Sequence, residues 1–386
     1  MKFPIYLDSH ATTPVDPRVL SEMLPYFSER FGNAASIDHS FGADAATAVS
    51  EARQKVARCI NASPDDIIFT SGATESNNII LQGIAQNFPS KNHIITCVTE
   101  HKSIIDTCKH LEAIGKKITY IPVDSQGIIN LQKLEESISE KTALITVMTA
   151  NNEIGTIAPI KEIGAIAHKH GVLFHTDATQ AVGHIPFDVE DCNIDFASLS
   201  GHKIYGPKGV GALYFRSNNI AAKPLPLFFG GGHERGVRSG TLNVPGIIGL
   251  AKALELSIAL MSSENARYHT LSKLLLDKFQ DECRPVELNG HPNQRLCHNI
   301  NVSFNKVESK ALIQCVNDKL AISAGSACST LNVEPSHVIL ALGFGAERAH
   351  TAIRIGLGRF NTTDEIEFTS NFIAKCVQKL KKLNSF

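Results

Sequence analysis

Two side chains with nucleophilic potential sit in short motifs of small residues. Lys203 ends SLSGHK, just ahead of the tight turn IYGPKGVG, and has no acid close by in sequence. An amine so placed can form a covalent link to a carbonyl compound. Cys328 lies in SAGSACST, a run too poor in apolar side chains to build a core. Its thiol is expected to be exposed and mobile, which suits a nucleophile that collects a group in one place and delivers it in another. An incidental loop cysteine is the plainer alternative.

Three further positions add to this chemistry. Asp177 closes the apolar run LFHTD, a costly place for a carboxylate unless it meets a cation or a protonated ring nitrogen. A pyridinium would satisfy it, as would a structural salt bridge. SGATES follows another apolar run and opens a helical pattern, so the backbone N–H groups around Ala73 and the Thr74 hydroxyl would face outward at a helix N-terminus. Alone it reads as a helix cap. Beside Ser200 and His202 of SLSGHK, a phosphate site explains more.

A frame must bring these segments together. Apolar runs predict strands at Asp66–Thr70, His93–Val98, Lys117–Ile121, Ala143–Met148, Leu173–Thr176, Phe196–Leu199 and Val210–Phe215, with helical spacing between several of them. That alternation predicts an α/β domain with a mostly parallel sheet. Ligands of such sheets bind beyond the carboxyl ends of the strands. Polar clusters follow five strands there: Ser71–Thr74, Glu100-His101, Asn151–Glu153, Asp177–Gln180 and Ser200–Lys203. A Gly- and Pro-rich stretch, residues 224–246, then breaks the alternation, and a long helix is expected over Ile247–Gln280. Beyond it, Asn299–Phe304 reads as a strand, Ser309–Lys319 and Asp364–Leu383 as helices. The expected organisation is a large domain at 15–262 and a smaller α/β domain at 263–386, with 1–14 packed on the latter and a cysteine loop at 323–334.

Composition removes other classes. The 37 basic and 38 acidic residues nearly cancel, leaving no global footprint for nucleic acid or anionic membrane. Lys375, Lys379, Lys381 and Lys382 form the most basic stretch and read as a solvated helix face. The opening MKFPIYLDSHATTP lacks the apolar core of a secretory signal, and Lys252 and Glu255 interrupt the most apolar helical stretch. The expectation is a cytoplasmic protein without membrane spans. Nine cysteines, none spaced CxxC, predict thiols, with Cys59, Cys97, Cys192, Cys315 and Cys376 in the core. No Cys/His spacing suits a metal. GHKIYGPK fails as a P-loop, since Pro207 separates Gly206 from Lys208 and a strand follows.

Together with YLDSHATTP, FGNAAS, TEHKS, NNEIG, GGGHERGVRSGT and IRIGLGRF, these motifs resemble the cysteine desulfurases of the NifS/IscS type, within the class V aminotransferase family of pyridoxal phosphate enzymes. The resemblance implies fold type I of the pyridoxal phosphate enzymes and a homodimer that turns L-cysteine into L-alanine, leaving a persulfide on Cys328 for a sulfur-acceptor protein. Carried over by residue, Lys203 would be the cofactor-linked lysine, Asp177 the partner of the pyridine nitrogen, Gln180 a donor to the ring oxygen, and His101 the stacking acid/base. Ala73, Thr74, Ser200 and His202 would hold the phosphate, joined by Thr241 from the neighbouring subunit. Arg354 would grip the substrate carboxylate with Asn152 nearby. The alternatives are an aminotransferase or selenocysteine lyase of the same fold, or an inactive scaffold.

Overall fold

The computed structural model describes residues 1–218, 222–325 and 335–383. Its central sheet has seven strands: β2 (Ile67–Thr70), β3 (His93–Cys97), β4 (Lys117–Ile121), β5 (Thr142–Thr146), β6 (Leu173–Asp177), β7 (Phe196–Ser200) and β8 (Gly211–Phe215), after the short N-terminal β1 (Ile5–Tyr6). Their spatial order is β2-β8-β7-β6-β5-β3-β4. Only β8 runs against the others, pairing antiparallel with both β2 and β7. It must do so, because a turn of ten residues returns the chain to the edge at which β7 ends. β2, β3, β5, β7 and β8 are buried along their whole length, as expected of strands covered by helices on both faces.

Seven expected strands therefore appear, each within a few residues of its predicted limits. One long helix went unread in the sequence, and of the second sheet only the strand Asn299–Phe304 was expected. The helix Ser40–Cys59 packs through Ala45, Ala48, Val49, Ala52 and Val56, small residues that let it lie close to its neighbours but give only a weak apolar stripe. A second sheet, β9 (Val286–Leu288), β10 (Asn299–Phe304) and β12 (Ala352–Gly356), is antiparallel with β10 at its centre, while β11 (Leu320–Ala321) pairs with β1.

One helix of 39 residues, Val244–Glu282, spans the molecule. Asn243 caps its start by accepting from the Gly246 N–H at 3.1 Å, and Lys381 closes its end, donating to the Cys283 and Arg284 carbonyls at 2.6 and 2.9 Å. Lys381 thus does structural work in a stretch expected to be a plain solvated face. By length and composition the helix could cross a bilayer, but half of its most apolar window is buried in the protein. Its core residues up to Leu254 pack with the seven-stranded sheet, and those from Tyr268 pack with Ile5, Leu7 and the second sheet. Among the described cysteines all are free; Cys97, Cys192 and Cys376 are buried, Cys59 and Cys315 partly so.

Candidate active site

The carboxyl ends of β2, β3, β5, β6 and β7 share one edge, and a cavity of about 530 Å³ opens there. Ala73, Thr74, His101, Asn152, Asp177, Gln180, Ser200, His202, Lys203 and Arg354 all line it. Asp177 and Ser200 are the last residues of β6 and β7, and a single 3₁₀ turn, Gly201–Lys203, carries the lysine. Not every residue of the five clusters takes part. Glu100 is buried behind the cavity and accepts from the Met148 N–H at 2.8 Å; burial pushes its carboxyl well above the usual range. Asn151 staples its own turn by accepting from the Glu153 and Ile154 N–H groups, and Glu153 accepts from Ser336 at 2.5 Å.

The helix Ala73–Asn87 begins at the cavity wall. Its N-cap is Gly72, which provides no side-chain acceptor, so the first-turn N–H groups are left for a ligand. Gly211 lets the turn sit there: a Cβ on it would come within 2.6 Å of the Gly72 Cα and 2.4 Å of the Leu199 oxygen. The acid in that first turn, Glu75, is burdened by burial, but bonds from Arg238 (2.8 Å) and the Ser71 N–H (2.7 Å) outweigh it and hold the carboxyl below its usual range. Arg238 therefore offsets the charge that would repel an anion.

Asp177 accepts from the Asn77 amide at 2.9 Å and the Thr179 N–H at 3.0 Å, both neutral donors, so its charge is solvated but not cancelled by them. Asn77 also donates to Ser103 (2.8 Å), whose hydroxyl lies 2.9 Å from His101 Nδ1. The Ser103 N–H donates to that same Nδ1 at 3.1 Å, which fixes it as an acceptor and puts the neutral ring's hydrogen on Nε2. Burial lowers the His101 pKa, with Lys203 acting the same way and Asp177 against. Burial, then Lys203 and Lys208, lower His202 to about 4, so it offers a neutral imidazole.

A segment the sequence reading had treated as packing turns out to hold the site. Residues 8–13 thread between the two sheets. Asp8 accepts from Arg354 Nη2 at 2.8 Å and from the Ser323 hydroxyl at 3.0 Å. Lys203 Nζ donates to the His10 and Ala11 carbonyls at 2.5 and 2.7 Å, and Thr12 Oγ1 lies 3.1 Å from His202 Nδ1. Thr13 ties the strap down, its backbone N–H and hydroxyl both donating to the His202 carbonyl. In the sequence the segment showed itself as the motif YLDSHATTP, dense in small hydroxyl residues, without a role for any one of them.

Arg354, in β12, is 1% exposed; Nη1 donates to the Asn152 carbonyl at 3.0 Å, and Nε is buried without a partner. A phosphorylated pyridine ring with a reactive carbonyl suits this donor set: helix N–H groups for phosphate, Asp177 for a ring nitrogen, and Lys203 for the carbonyl. Among the described residues no cluster of His, Cys, Asp or Glu is placed to hold a metal.

Residues 5–368 match the sequence profile of the family described as aminotransferase class-V. The chain is 50% identical over 382 residues to cysteine desulfurase IscS of Rickettsia felis, covering 99% of this chain and 93% of that protein. It belongs to the class-V aminotransferase family, among the NifS/IscS cysteine desulfurases. Solved structures agree: a NifS-like protein superposes with a TM-score of 0.90 at 38% identity, covering 98% of this chain and all of the other. SspA in complex with cysteine superposes at 0.81 and 37% identity over 92% of this chain. Two expected desulfurase residues stand apart. Thr241 is exposed and outside the cavity of its own chain. Cys328 lies outside the described residues.

Proposed function

We propose that this cavity binds pyridoxal 5'-phosphate and L-cysteine and that Cys328 receives the substrate's sulfur. The observation that carries the reading is the convergence of Lys203, Asp177, an uncapped helix N-terminus and a buried arginine on one cavity. The phosphate would lie against Ala73, Thr74, Ser200 and His202, with Thr241 contributed by a second subunit. The cofactor supplies an electron sink for the substrate's α-carbon. Arg354 would orient the carboxylate through paired N–H groups, with Asn152 beside it. Lys203 Nζ takes up the Cα proton, and His101, with its hydrogen on Nε2, hands a proton to or from the substrate.

The Cys328 sulfur attacks the substrate sulfur. The S–S bond forms as the substrate's C–S bond breaks, the electron pair stays with carbon, and protonation there gives alanine. Ser323, five residues before Cys328, pairs with Arg354 through both backbone groups at 2.7 and 3.2 Å. The persulfide then passes to an acceptor protein for iron–sulfur assembly or thio-modification.

A homodimer is supported by aromatic side chains left on the surface, among them Phe31 and Phe229, 63% and 86% exposed. The free thiols favour a reducing, cytoplasmic setting. Domain limits of 15–262 and 263–386 are in keeping with the division of core residues along the long helix. The test is turnover: the protein incubated with L-cysteine releases alanine one-for-one with transferable sulfur, and Lys203→Ala releases none. Alanine release by Lys203→Ala at the native rate would overturn the assignment.

A further inference from the structure

Gln180 and His10 meet in a closed pair of hydrogen bonds. The Gln180 amide nitrogen donates to the His10 carbonyl at 3.1 Å, and Gln180 Oε1 lies 3.0 Å from His10 Nδ1. A backbone carbonyl only accepts, so the Gln180 atom facing it is the NH2 group. The other amide atom is then oxygen, and the ring nitrogen it meets must carry the hydrogen. His10 is thereby fixed as the Nδ1–H tautomer, with Nε2 a bare acceptor; Nε2 is indeed buried without a partner. The ring is 1% exposed and stacks on His298 at 4.6 Å between centroids, which in turn stacks on His184 at 4.4 Å. It has no room to swing away.

We propose that His10 is a positioning residue that holds Gln180 as an obligatory donor into the cavity, so that an anionic ring oxygen of the cofactor meets an N–H and never a lone pair. One amide hydrogen is used on the His10 carbonyl; the second remains on a side chain that lines the cavity. Without the imidazole the amide keeps only the His10 carbonyl as an anchor, and its plane can pivot about that one bond and carry the second N–H away from the ring oxygen. Burial keeps the ring neutral, with Arg354, His184 and Lys203 facing it and acting the same way, and only the Gln180 bond opposing. The arrangement therefore persists across the working pH range.

This inference rests on the pyridoxal phosphate reading of the cavity. The test compares His10→Asn, whose amide N–H replaces the Nδ1 donor, with His10→Leu, of similar size and no donor. Each is loaded with the cofactor and its visible absorption titrated with pH. A donor draws charge from the ring oxygen and eases loss of the neighbouring proton on the Lys203 nitrogen. Removing one donor to an anion raises the midpoint by about one unit. Asp177, His101 and Arg354 also face the ring but are unchanged in both variants. The expected result is a raised midpoint in His10→Leu and a native one in His10→Asn. An unchanged midpoint in His10→Leu, or equal shifts in both, overturns the proposal while the cofactor reading stands. A native protein that never develops the visible band overturns both. Nitrogen-15 spectra of histidine-labelled native protein add a check without a variant: His10 must show Nδ1–H, and Nε2–H contradicts the lock.

Discussion

Replacing Arg354 by lysine isolates the recognition of the substrate carboxylate. The guanidinium has five N–H groups. Asp8 takes one at 2.8 Å, the Asn152 carbonyl takes another at 3.0 Å, and Nε is buried with no partner. The remaining N–H groups can serve a carboxylate without giving up either anchor. A lysine ammonium has three hydrogens on one atom and cannot hold Asp8, the Asn152 carbonyl and a bidentate carboxylate together. Loss of one hydrogen bond to a charged group costs about 1.5–3 kcal/mol, or roughly 10- to 150-fold in binding. Steady-state alanine release should therefore show KM for L-cysteine rising by that factor. The ammonium still pairs with Asp8, so the fold should survive, which a thermal melt checks. Inhibition by cysteamine, which has no carboxylate, should be the same in both proteins. A KM within twofold of native, or an equal loss of cysteamine affinity, would refute the role given to Arg354.

Further outcomes follow from the packing. Burial lowers the pKa of His10 to about 3 and of His175 and His202 to about 4, and lowers His184 and His298 as well. In the unfolded chain these rings take up protons below about 6.5, so the unfolded state binds more protons and stability falls as pH drops from there toward 4; melting temperatures at pH 7 and pH 5 should differ clearly, and equal values would count against the burial. Glu234→Ala should destabilise the protein by about 3 kcal/mol in chemical unfolding, because Arg53 loses its bonds at 2.6 and 2.9 Å and the Phe69 N–H its acceptor at 2.6 Å. Gly211→Ala should push β8 off the Gly72 turn and lower cofactor retention on dialysis by at least about tenfold; native retention would contradict the role given to that close approach.

The mostly parallel sheet was legible because most of its strands are short, fully buried apolar runs with their own breaks, as in HIITC and TALIT. The site was legible for the same reason, since topology delivers whatever follows those runs to one edge. Hidden features depend on contacts between distant segments. His10 and Gln180 are 170 residues apart, and Asp8 and Arg354 346. Glu100 looked like a site residue beside His101, yet in the turn after β3 it is directed inward, where it accepts from the Met148 N–H, while His101 caps the next helix at the cavity. The helix Ser40–Cys59 was missed because alanines make its buried face.

The central claim is that sulfur leaves L-cysteine for one thiol, and peptide mass spectrometry after brief incubation with L-cysteine tests it most directly. The account predicts one added sulfur on the peptide carrying Cys328, and a Cys328→Ser protein that keeps its visible band and binds cysteine but forms no persulfide and releases almost no alanine. Added sulfur on a different cysteine, or native turnover in Cys328→Ser, would contradict it.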